Sequence, residues 1–286
     1  MAATTVALVA ATAVALPLAR HRVQRAGAVT TVDPGEPAGE PDLPAPTRSL
    51  GVAGQPRLPL LAAGPVTVRT EGFYAWALLD RRTGAITGSP DAAGATNATE
   101  SMIKVWIAAD YLRQLGGDQP TAARLAELSA MIRDSDNDAA EDIYETDGYD
   151  DVVHRMVNVC RLTATTAMSG WWSMTEMSAS DAARLGACVA DGRAAGPQWT
   201  DWLLNEMRQV RGEGRFGIVD ALPAEAAATT PIKNGWLVDD DGEWHVNCLA
   251  IVDGSVLAVL TRYPGDLGMS YGAGICRDVA AQLRTG

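Results

Sequence analysis

Ser101 and Lys104 are the first residues of this sequence whose types and spacing could do chemistry. They open an apolar stretch, residues 101–115, that predicts a buried helix. A three-residue separation places the hydroxyl and the amine on one helix face, within hydrogen-bonding reach. Serine is a weak nucleophile that needs a base, and a buried lysine that has lost its proton can act as one. Unpaired backbone N–H groups at the helix start could also stabilise an oxyanion beside Ser101.

Lysine is rare in this chain of 286 residues, where Lys104 and Lys233 are the only lysines among 23 basic residues. Arginine fills every other basic position, which codon bias alone could explain. Lysine, however, shifts its pKa readily when it is desolvated, and arginine does not. The two positions that keep lysine are therefore candidates for chemistry that needs a neutral amine.

Ser135-Asp136-Asn137 is a second candidate motif, in a loop that follows a predicted helix over residues 121–133. The hydroxyl of Ser135 could relay a proton. The amide of Asn137 could both donate to and accept from a substrate amide. Taken alone, the motif is also typical of an ordinary turn or helix cap.

Lys233-Asn234-Gly235-Trp236 is the third candidate and lies on a predicted strand. Gly235 would let a ligand approach the backbone closely. A fixed charge on Lys233 would lower the pKa of Lys104 and attract a carboxylate. A lysine at a strand edge is more often simply solvated, so this motif also needs the other two beside it.

Together the motifs follow the order S-x-x-K, S-D-N and K-x-G, and they resemble the active site of class A β-lactamases and penicillin-binding proteins. The resemblance covers the chain from about residue 70 to its end. It implies an α+β, β-lactamase/transpeptidase-like fold. In that fold an antiparallel sheet formed by both ends of the domain accompanies an all-helical half.

The resemblance also implies a role for each motif residue. Ser101 would be the acylated nucleophile, Lys104 its base and Ser135 the proton shuttle to the leaving group. The backbone N–H groups of Ser101 and Trp236 would form the oxyanion hole, and Lys233 would face the substrate carboxylate. The substrate-binding residues would be Asn137, Lys233, Asn234, Gly235 and Trp236.

Two features depart from the family pattern. Asn234 stands where the family usually has threonine or serine, so recognition of a substrate carboxylate would differ. Residues 161–181 lack the E-x-x-L-N segment whose glutamate activates the deacylating water in class A β-lactamases. Glu176 is the only glutamate there, and the sequence predicts it to be a carboxylate at the start of a helix beginning near Met177.

These features lead to three functional hypotheses. The first is a serine hydrolase or acyl transferase that forms a Ser101 acyl-enzyme with a small amide or ester, such as a cell-wall peptide or a β-lactam. The second is a non-hydrolytic ligand-binding domain of the same fold, and the third is a true β-lactamase.

The formal net charge of -12 argues against a nucleic-acid partner. No cofactor is predicted, and no metal, because His21, His154 and His245 lack ligand spacing.

The amino-terminal region predicts export. Residues 2–19 carry no charge and precede Arg20-His21-Arg22, which suggests a clipped signal peptide or a membrane anchor over residues 1–30. A disordered alanine-rich extension is the alternative. A proline-rich linker over 31–64 and a catalytic domain over 65–286 follow. The expected location is extracytoplasmic, secreted or membrane-anchored.

Cys160, Cys188, Cys248 and Cys276 all fall inside the predicted domain. In an exported protein an even number favours two disulfides, and three pairings are open from the sequence alone. Buried free cysteines are the alternative. The resemblance, in which the last helix packs on the sheet, implies Cys248–Cys276 and leaves Cys160–Cys188.

The remaining elements follow from hydrophobic periodicity and turn residues. Strands are predicted at 73–79, 245–253 and 255–263. Helices are predicted at 121–133 with Thr121 as N-cap, and at 138–145, 149–158, 178–190, 198–209 and 273–283.

Overall fold

The computed structural model describes residues 59–285. The signal peptide or anchor predicted over residues 1–30 therefore lies outside the described residues, as does most of the linker predicted over 31–64. Within the described part, no helix has the length and apolar character that crossing a membrane requires.

Five antiparallel strands form the main sheet, in the order β2-β1-β8-β7-β6. The strand from the start of the domain pairs directly with a strand from its end, because β1 lies against β8. The sheet is therefore completed by both ends of the domain, as the resemblance implies. The bounds are β1 Phe73–Asp80, β2 Ile86–Gly88, β6 Gly235–Val238, β7 Glu243–Val252 and β8 Ser255–Pro264.

A second, three-stranded sheet was not predicted from the sequence. It has the order β3-β5-β4, with β3 at Thr96–Ala98, β4 at Thr165–Met168 and β5 at Trp171–Ser178. Glu176 lies on the central strand β5, opposite Ala98 on β3. The prediction of a helix-start carboxylate is therefore wrong: the helix begins at Ala179, with Ser178 as its N-cap.

Eight α-helices occur in residues 59–285. In the sequence, α1 to α7 come after β2 and before β6, so they separate the first two strands of the main sheet from its last three. Thr121 caps α2 as predicted, because its side chain accepts a hydrogen bond from the backbone N–H of Arg124. The helices are α1 Lys104–Gln114, α2 Ala122–Arg133, α3 Asn137–Thr146, α4 Asp150–Cys160, α5 Ala179–Ala190, α6 Thr200–Arg208, α7 Ala224–Thr229 and α8 Met269–Leu283.

Helices cover both faces of the main sheet. Gly186 of α5 lies against Leu249 and Val256, whereas Gly272 of α8 lies against Val246. Leu249 and Val246 differ by an odd number of positions on β7, so their side chains point to opposite faces. Burial on both faces explains why β7 and β8 are almost continuously apolar rather than alternating.

Two disulfides tie helices to the rest of the domain. Cys160–Cys188 joins the end of α4 to α5, and Cys248–Cys276 joins β7 to α8. The pairing implied by the resemblance is thus confirmed. Each bridge spans 28 residues, and loops of this length contribute about 3–4 kcal/mol in the chain-entropy model.

The folded domain begins earlier than residue 65. Leu61 is buried, and it forms an isolated β-bridge with Arg284. The backbone N–H of Ala62 donates to Leu283 O at 2.9 Å, and that of Thr285 donates to Leu60 O at 3.1 Å. Residues 59–64 therefore belong to the domain, because both ends of the described chain pair with each other.

Candidate active site

The nucleophile candidate Ser101 lies in a short 3₁₀ turn, Glu100–Ile103, rather than in the predicted α-helix, which begins at Lys104. Residues i and i+3 eclipse in a 3₁₀ turn. The backbone N–H of Lys104 donates to Ser101 O, which closes the turn. The S-x-x-K spacing therefore still directs both side chains to one side, by a different geometry.

Close packing against the third motif fixes this turn. A Cβ atom at Gly235 would lie 2.4 Å from Thr99 O and 2.7 Å from Met102 N. Gly235 is thus required for the close approach of β6 to the Glu100–Ile103 turn. The sequence predicts a different role for it, which is to let a ligand approach the backbone. Glu100 has φ 50°, a conformation that few residues other than glycine adopt.

A buried asparagine pair holds β3 against the main sheet immediately before the turn. Asn97 Nδ2 donates to Asn247 Oδ1 at 2.9 Å and to Thr261 O at 3.1 Å. Asn247 Nδ2 in turn donates to Ala98 O at 2.7 Å. The chain three residues before Ser101 is therefore fixed to β7 and β8.

Lys104 is fully buried, and its amine lies within the second motif. Nζ donates to Ser135 O at 2.6 Å and to Asn137 Oδ1 at 2.5 Å. Burial lowers the pKa of Lys104 to about 7, although the negative charges of Asp136 and Glu100 oppose the shift. Near neutral pH a large fraction of Lys104 is therefore unprotonated, as a general base requires.

Lys233 is also fully buried, and it reaches Ser135 from the other side. Its Nζ donates to Ser135 Oγ at 2.9 Å. Burial, followed by the nearby charge of Lys104, holds the pKa of Lys233 well below its usual range. Lys104, Ser135, Asn137 and Lys233 thus form one connected group, which we call the basic cluster.

The loop that carries Ser135 is anchored on both sides. Arg211 binds Asp134 through two hydrogen bonds, of 2.6 and 2.8 Å. Asp136 caps α3 by accepting from the backbone N–H of Ala139 at 2.8 Å. Ser135 itself has φ 62°, a left-handed conformation that these flanking contacts hold in place.

The sequence predicts that the side chain of Asn234 contacts the substrate, but in the structure it does not face the cleft. Its amide is buried, where Nδ2 donates to Gly214 O and Phe216 O, each at 3.0 Å, and Oδ1 accepts from the backbone N–H of Leu249 at 3.3 Å. These backbone partners occupy the amide. The contact to a substrate carboxylate that we expected from Asn234 is therefore not made by its side chain in this arrangement.

A cleft of about 460 Å³ opens beside Ser101. Trp171, 64% exposed, and Leu237, 45% exposed, give it apolar edges. A larger cavity of about 620 Å³, against residues 59–63 and β2, contains none of the three motifs. The residues lining the cleft are Glu100, Ser101, Asn137, Asp138, Glu141, Gly170, Trp171, Trp172, Ser173, Trp236 and Leu237.

Glu141 and Trp172 were not assigned to the site from the sequence, although Trp171-Trp172 was considered for its entrance. Trp172 Nε1 donates to Glu141 Oε2 at 2.7 Å, and Lys104 Nζ lies 5.0 Å from the Trp172 ring centroid. Glu141 follows Asn137 by four residues on α3, so both face the cleft. That i+4 spacing was the signal in the sequence.

Glu100 is a second residue that the sequence did not single out. It is buried next to Ser101, and its Oε1 has no hydrogen-bond partner within residues 59–285. Burial, and then repulsion from Asp239 and Glu176, raise the pKa of Glu100 to about 8, against the opposing charge of Lys104. A carboxyl group that is largely neutral at pH 7 therefore adjoins Ser101.

One further serine fits a nucleophile pattern, because residues 268–272 read G-x-S-x-G. Ser270 lies exposed in the first turn of α8. No hydrogen bond joins it to a histidine in the described chain. The pattern has a structural reason instead, since a Cβ at Gly272 would lie 2.7 Å from the Tyr263 ring.

Comparison with known proteins supports the same fold. No family model matches the sequence. "Putative lipoprotein LppW" of Mycobacterium tuberculosis and its counterpart in Mycobacterium bovis are 31% identical over 181 residues, covering 59% of this chain and 55% of LppW. The chain thus spans about half the length of the curated relatives it matches.

Solved structures match over most of the domain. A β-lactamase from Chitinophaga pinensis has a TM-score of 0.61 at 17% identity, covering 73% of this chain and 92% of its own. One from Burkholderia vietnamiensis has 0.61 at 18%, covering 74% and 89%. A class A β-lactamase from Mycobacterium abscessus has 0.56 at 17%, covering 74% and 92%. The chain therefore has the α+β fold of the class A β-lactamases, as its three motifs predict.

Proposed function

We propose that this protein is a serine hydrolase or acyl transferase that works through an acyl-enzyme on Ser101. The observation that carries the proposal is the burial of Lys104 within a group that also contains Ser135 and Lys233. A buried lysine whose pKa is near 7 has the property that an activating base needs. The structural similarity to β-lactamases shows that the chain has a fold in which such a reaction is known.

In the proposed reaction, Ser101 Oγ attacks the carbonyl carbon of an amide or ester while Lys104 Nζ takes up its proton. The backbone N–H groups of Ser101 and Trp236 stabilise the oxyanion. Ser135, bonded through Oγ to Lys233, relays the proton held by Lys104 to the leaving nitrogen or oxygen as the bond to the carbonyl carbon breaks, which returns Lys104 to its neutral form. The acyl group then remains on Ser101 until water or another acceptor removes it.

Removal of the acyl group needs an activated acceptor, and this sequence lacks the E-x-x-L-N glutamate that activates the deacylating water in class A β-lactamases. Glu141 is a carboxylate of the cleft that is linked to the basic cluster through Trp172, which donates to Glu141 and has its ring centroid 5.0 Å from Lys104 Nζ. One of its oxygens accepts from Trp172 Nε1. We propose Glu141 as the group that orients the incoming acceptor, with slow turnover because that oxygen is already engaged.

The substrate would be a small amide or ester with an apolar side group. Trp171 and Leu237 offer the apolar edges, while Asp138 and Glu141 make the rim acidic. No arginine or lysine is among the described residues that line the cleft. Lys233 is buried and the side chain of Asn234 points inward, so we expect strongly anionic substrates to bind weakly. We therefore expect neutral cell-wall peptides to be better substrates than β-lactams.

Intact mass after incubation with a panel of β-lactams and reactive esters tests the proposal. Wild type should gain the mass of one acyl group, and Ser101→Ala should gain none. The matched control is Ser270→Ala, which should be acylated like wild type because Ser270 lies outside the cleft. Acylation of Ser101→Ala to the wild-type level would refute Ser101 as nucleophile.

A non-hydrolytic binding domain is the second candidate. It is favoured by the partners of Lys104 Nζ, because this amine donates to Ser135 O and Asn137 Oδ1, and within residues 59–285 no hydrogen bond joins the amine to the Ser101 side chain. Reversible binding of a panel member, without a mass change in wild type, would support this candidate over the first. Consumption of a β-lactam without a stable adduct would instead indicate a β-lactamase.

We propose an extracytoplasmic location. Two disulfides are expected in an oxidising compartment and are rare in reducing ones. The name of the relative LppW describes a lipoprotein. Fractionation of the cells that make the protein should recover it outside the cytoplasm, with no free thiols under non-reducing conditions.

A further inference from the structure

Three potential metal ligands meet at the hairpin between β6 and β7. Asp239 and Asp241 lie in its turn, and His245 lies on β7. One ligand atom of each residue lies within 4.8 Å of the others. We call these three residues the hairpin cluster. It is distinct from the basic cluster and shares none of its residues.

His245 is the unusual member of the hairpin cluster. Its side chain is buried, with the residue only 4% exposed. Neither Nδ1 nor Nε2 has a hydrogen-bond partner within residues 59–285. Buried polar groups nearly always have a partner, so an imidazole near two carboxylates, with both nitrogens free of hydrogen bonds within residues 59–285, is suited to bind a ligand.

The charges around His245 are mostly negative. Besides Asp239 and Asp241, the carboxylate of Glu176 acts on it from β5. The neighbouring positive charge is Arg262 on β8, which pairs with Glu243 at 3.4 Å. The hairpin cluster therefore concentrates negative charge around a buried imidazole without a matching cation of its own.

The turn holds its carboxylates in place. Asp239 Oδ1 accepts from the backbone N–H of Asp240 at 2.8 Å, and Asp241 Oδ1 accepts from that of Glu243 at 2.8 Å. The backbone N–H of Gly242 donates to Asp239 O at 2.9 Å. Each carboxylate thus keeps one oxygen fixed by the turn and a second one for another partner.

We propose that Asp239, Asp241 and His245 bind one divalent transition-metal ion of the zinc class. Imidazole nitrogen with carboxylate oxygen suits zinc and its neighbours, whereas magnesium and calcium prefer oxygen ligands throughout. At Zn–ligand distances of about 2.0–2.2 Å, tetrahedral ligand atoms lie about 3.3 Å apart. The turn would therefore close by about 1.5 Å at most, and a water would complete the coordination.

The prediction of no metal rested on the three histidines being far apart in sequence. The spacing D-x-D-x₃-H from Asp239 to His245 was the signal that it overlooked. Only a hairpin brings those positions together, since the turn reverses the chain between β6 and β7. The proposal stands without the acyl-transfer function, because it uses none of the residues of the basic cluster.

Isothermal titration of the full chain with Zn²⁺ tests the proposal, in a background that carries His21→Gln and His154→Gln. His245 is then the only histidine of the chain. This background protein should bind one zinc ion, and at least about 10-fold more tightly than Mg²⁺. Adding Asp241→Asn should weaken zinc binding at least about 10-fold, and adding His245→Gln should do the same.

Asp240→Asn is the matched control, because it removes a charge from the same turn without touching the hairpin cluster. It should leave zinc affinity within about two-fold of the background protein. Asp241 is exposed, so its variant should fold, and circular dichroism checks the buried His245→Gln. The proposal is overturned if the background protein binds no zinc, or if Asp241→Asn and His245→Gln bind it as tightly as Asp240→Asn does. Ser101→Ala should bind zinc normally, which separates this result from the proposed function.

Discussion

The basic cluster and the hairpin cluster both contain buried ionisable side chains, Lys104 and Lys233 in the first and His245 in the second. They differ in how the polar atoms of these side chains are satisfied. In the basic cluster, Lys104 and Lys233 donate to Ser135 and Asn137. In the hairpin cluster, both ring nitrogens of His245 lack a partner in the described chain. The basic cluster satisfies its amines with its own side-chain and backbone atoms, whereas the hairpin cluster leaves both ring nitrogens of His245 free for the metal ion proposed above.

This difference suits the two clusters to different functions. A network whose hydrogen bonds are all satisfied holds its side chains rigidly and shifts their pKa, which suits a group that must have the right protonation state before substrate binds. An unsatisfied one is costly until a ligand binds, which suits a binding site. Glu100 is influenced by one member of each cluster, because the charge of Asp239 raises its pKa and that of Lys104 lowers it.

The largest effect should come from replacing Lys104, the proposed base of the basic cluster. Lys104→Arg keeps the charge but cannot lose its proton, so acylation of Ser101 should slow by about 10²–10⁴-fold. Lys104→Met provides a second variant without the added bulk. The rate is measured by quenched mass spectrometry with the ester or β-lactam that labels wild type.

An unchanged acylation rate in both Lys104 variants would contradict the contrast between a reactive basic cluster and a ligand-binding hairpin cluster, because the basic cluster would then have no role in the reaction. Thermal unfolding of each variant must accompany the rates. A loss of activity counts only for a variant that unfolds cooperatively, since Lys104 is fully buried.

The next effect is the pH dependence of acylation. Because burial lowers the pKa of Lys104 to about 7, the neutral amine is scarce below that pH. The rate should rise about ten-fold per pH unit up to about pH 7 and then level off. A rate that keeps rising to about pH 10, the ordinary range for lysine, would show that burial does not tune this amine.

The smallest effect concerns Glu100, whose pKa is raised to about 8. The unfolded chain ionises this carboxyl near its ordinary pKa, while the folded chain keeps the proton. Wild-type stability should therefore fall as the pH rises from about 5 to about 8, and change little from this source above that. Glu100→Gln removes the loss, so its Tm should exceed that of wild type by at least about 2–4 °C at pH 8.

At pH 5 the Tm difference between Glu100→Gln and wild type should shrink. Differential scanning calorimetry with a chelator present measures both, so that metal bound at the hairpin does not contribute. Glu225→Gln, at an exposed position, is the matched control and should show no such pH trend. A difference that is equal at the two pH values would indicate a packing effect rather than the ionisation of Glu100.

Much of the fold could be predicted because its signals are local. The helix cap at Thr121, the apolar runs of β7 and β8 and the three motifs each depend on a few neighbouring residues. The disulfide pairing came only from the resemblance, since spacing left three arrangements open. The helix cap, the two strands, the fold class and the disulfide pairing all agree with the structure.

What the sequence missed depends on contacts between distant segments. The strand position of Glu176 follows from pairing with β3, some 80 residues away, which no local pattern reveals. The inward turn of Asn234 depends on the carbonyls of Gly214 and Phe216. The hairpin cluster likewise needs the turn between β6 and β7 before its spacing has meaning.

The central claim is that Ser101 is the residue that is acylated, and peptide mapping tests it most directly. Trypsin cleaves after Arg82 and Lys104, which places Ser101 in one peptide, and after Arg133 and Arg155, which places Ser135 in another. After labelling of wild type, the added mass should lie on residues 83–104, and fragmentation should assign it to Ser101 rather than Ser89. Label on the peptide of residues 134–155 would contradict the account.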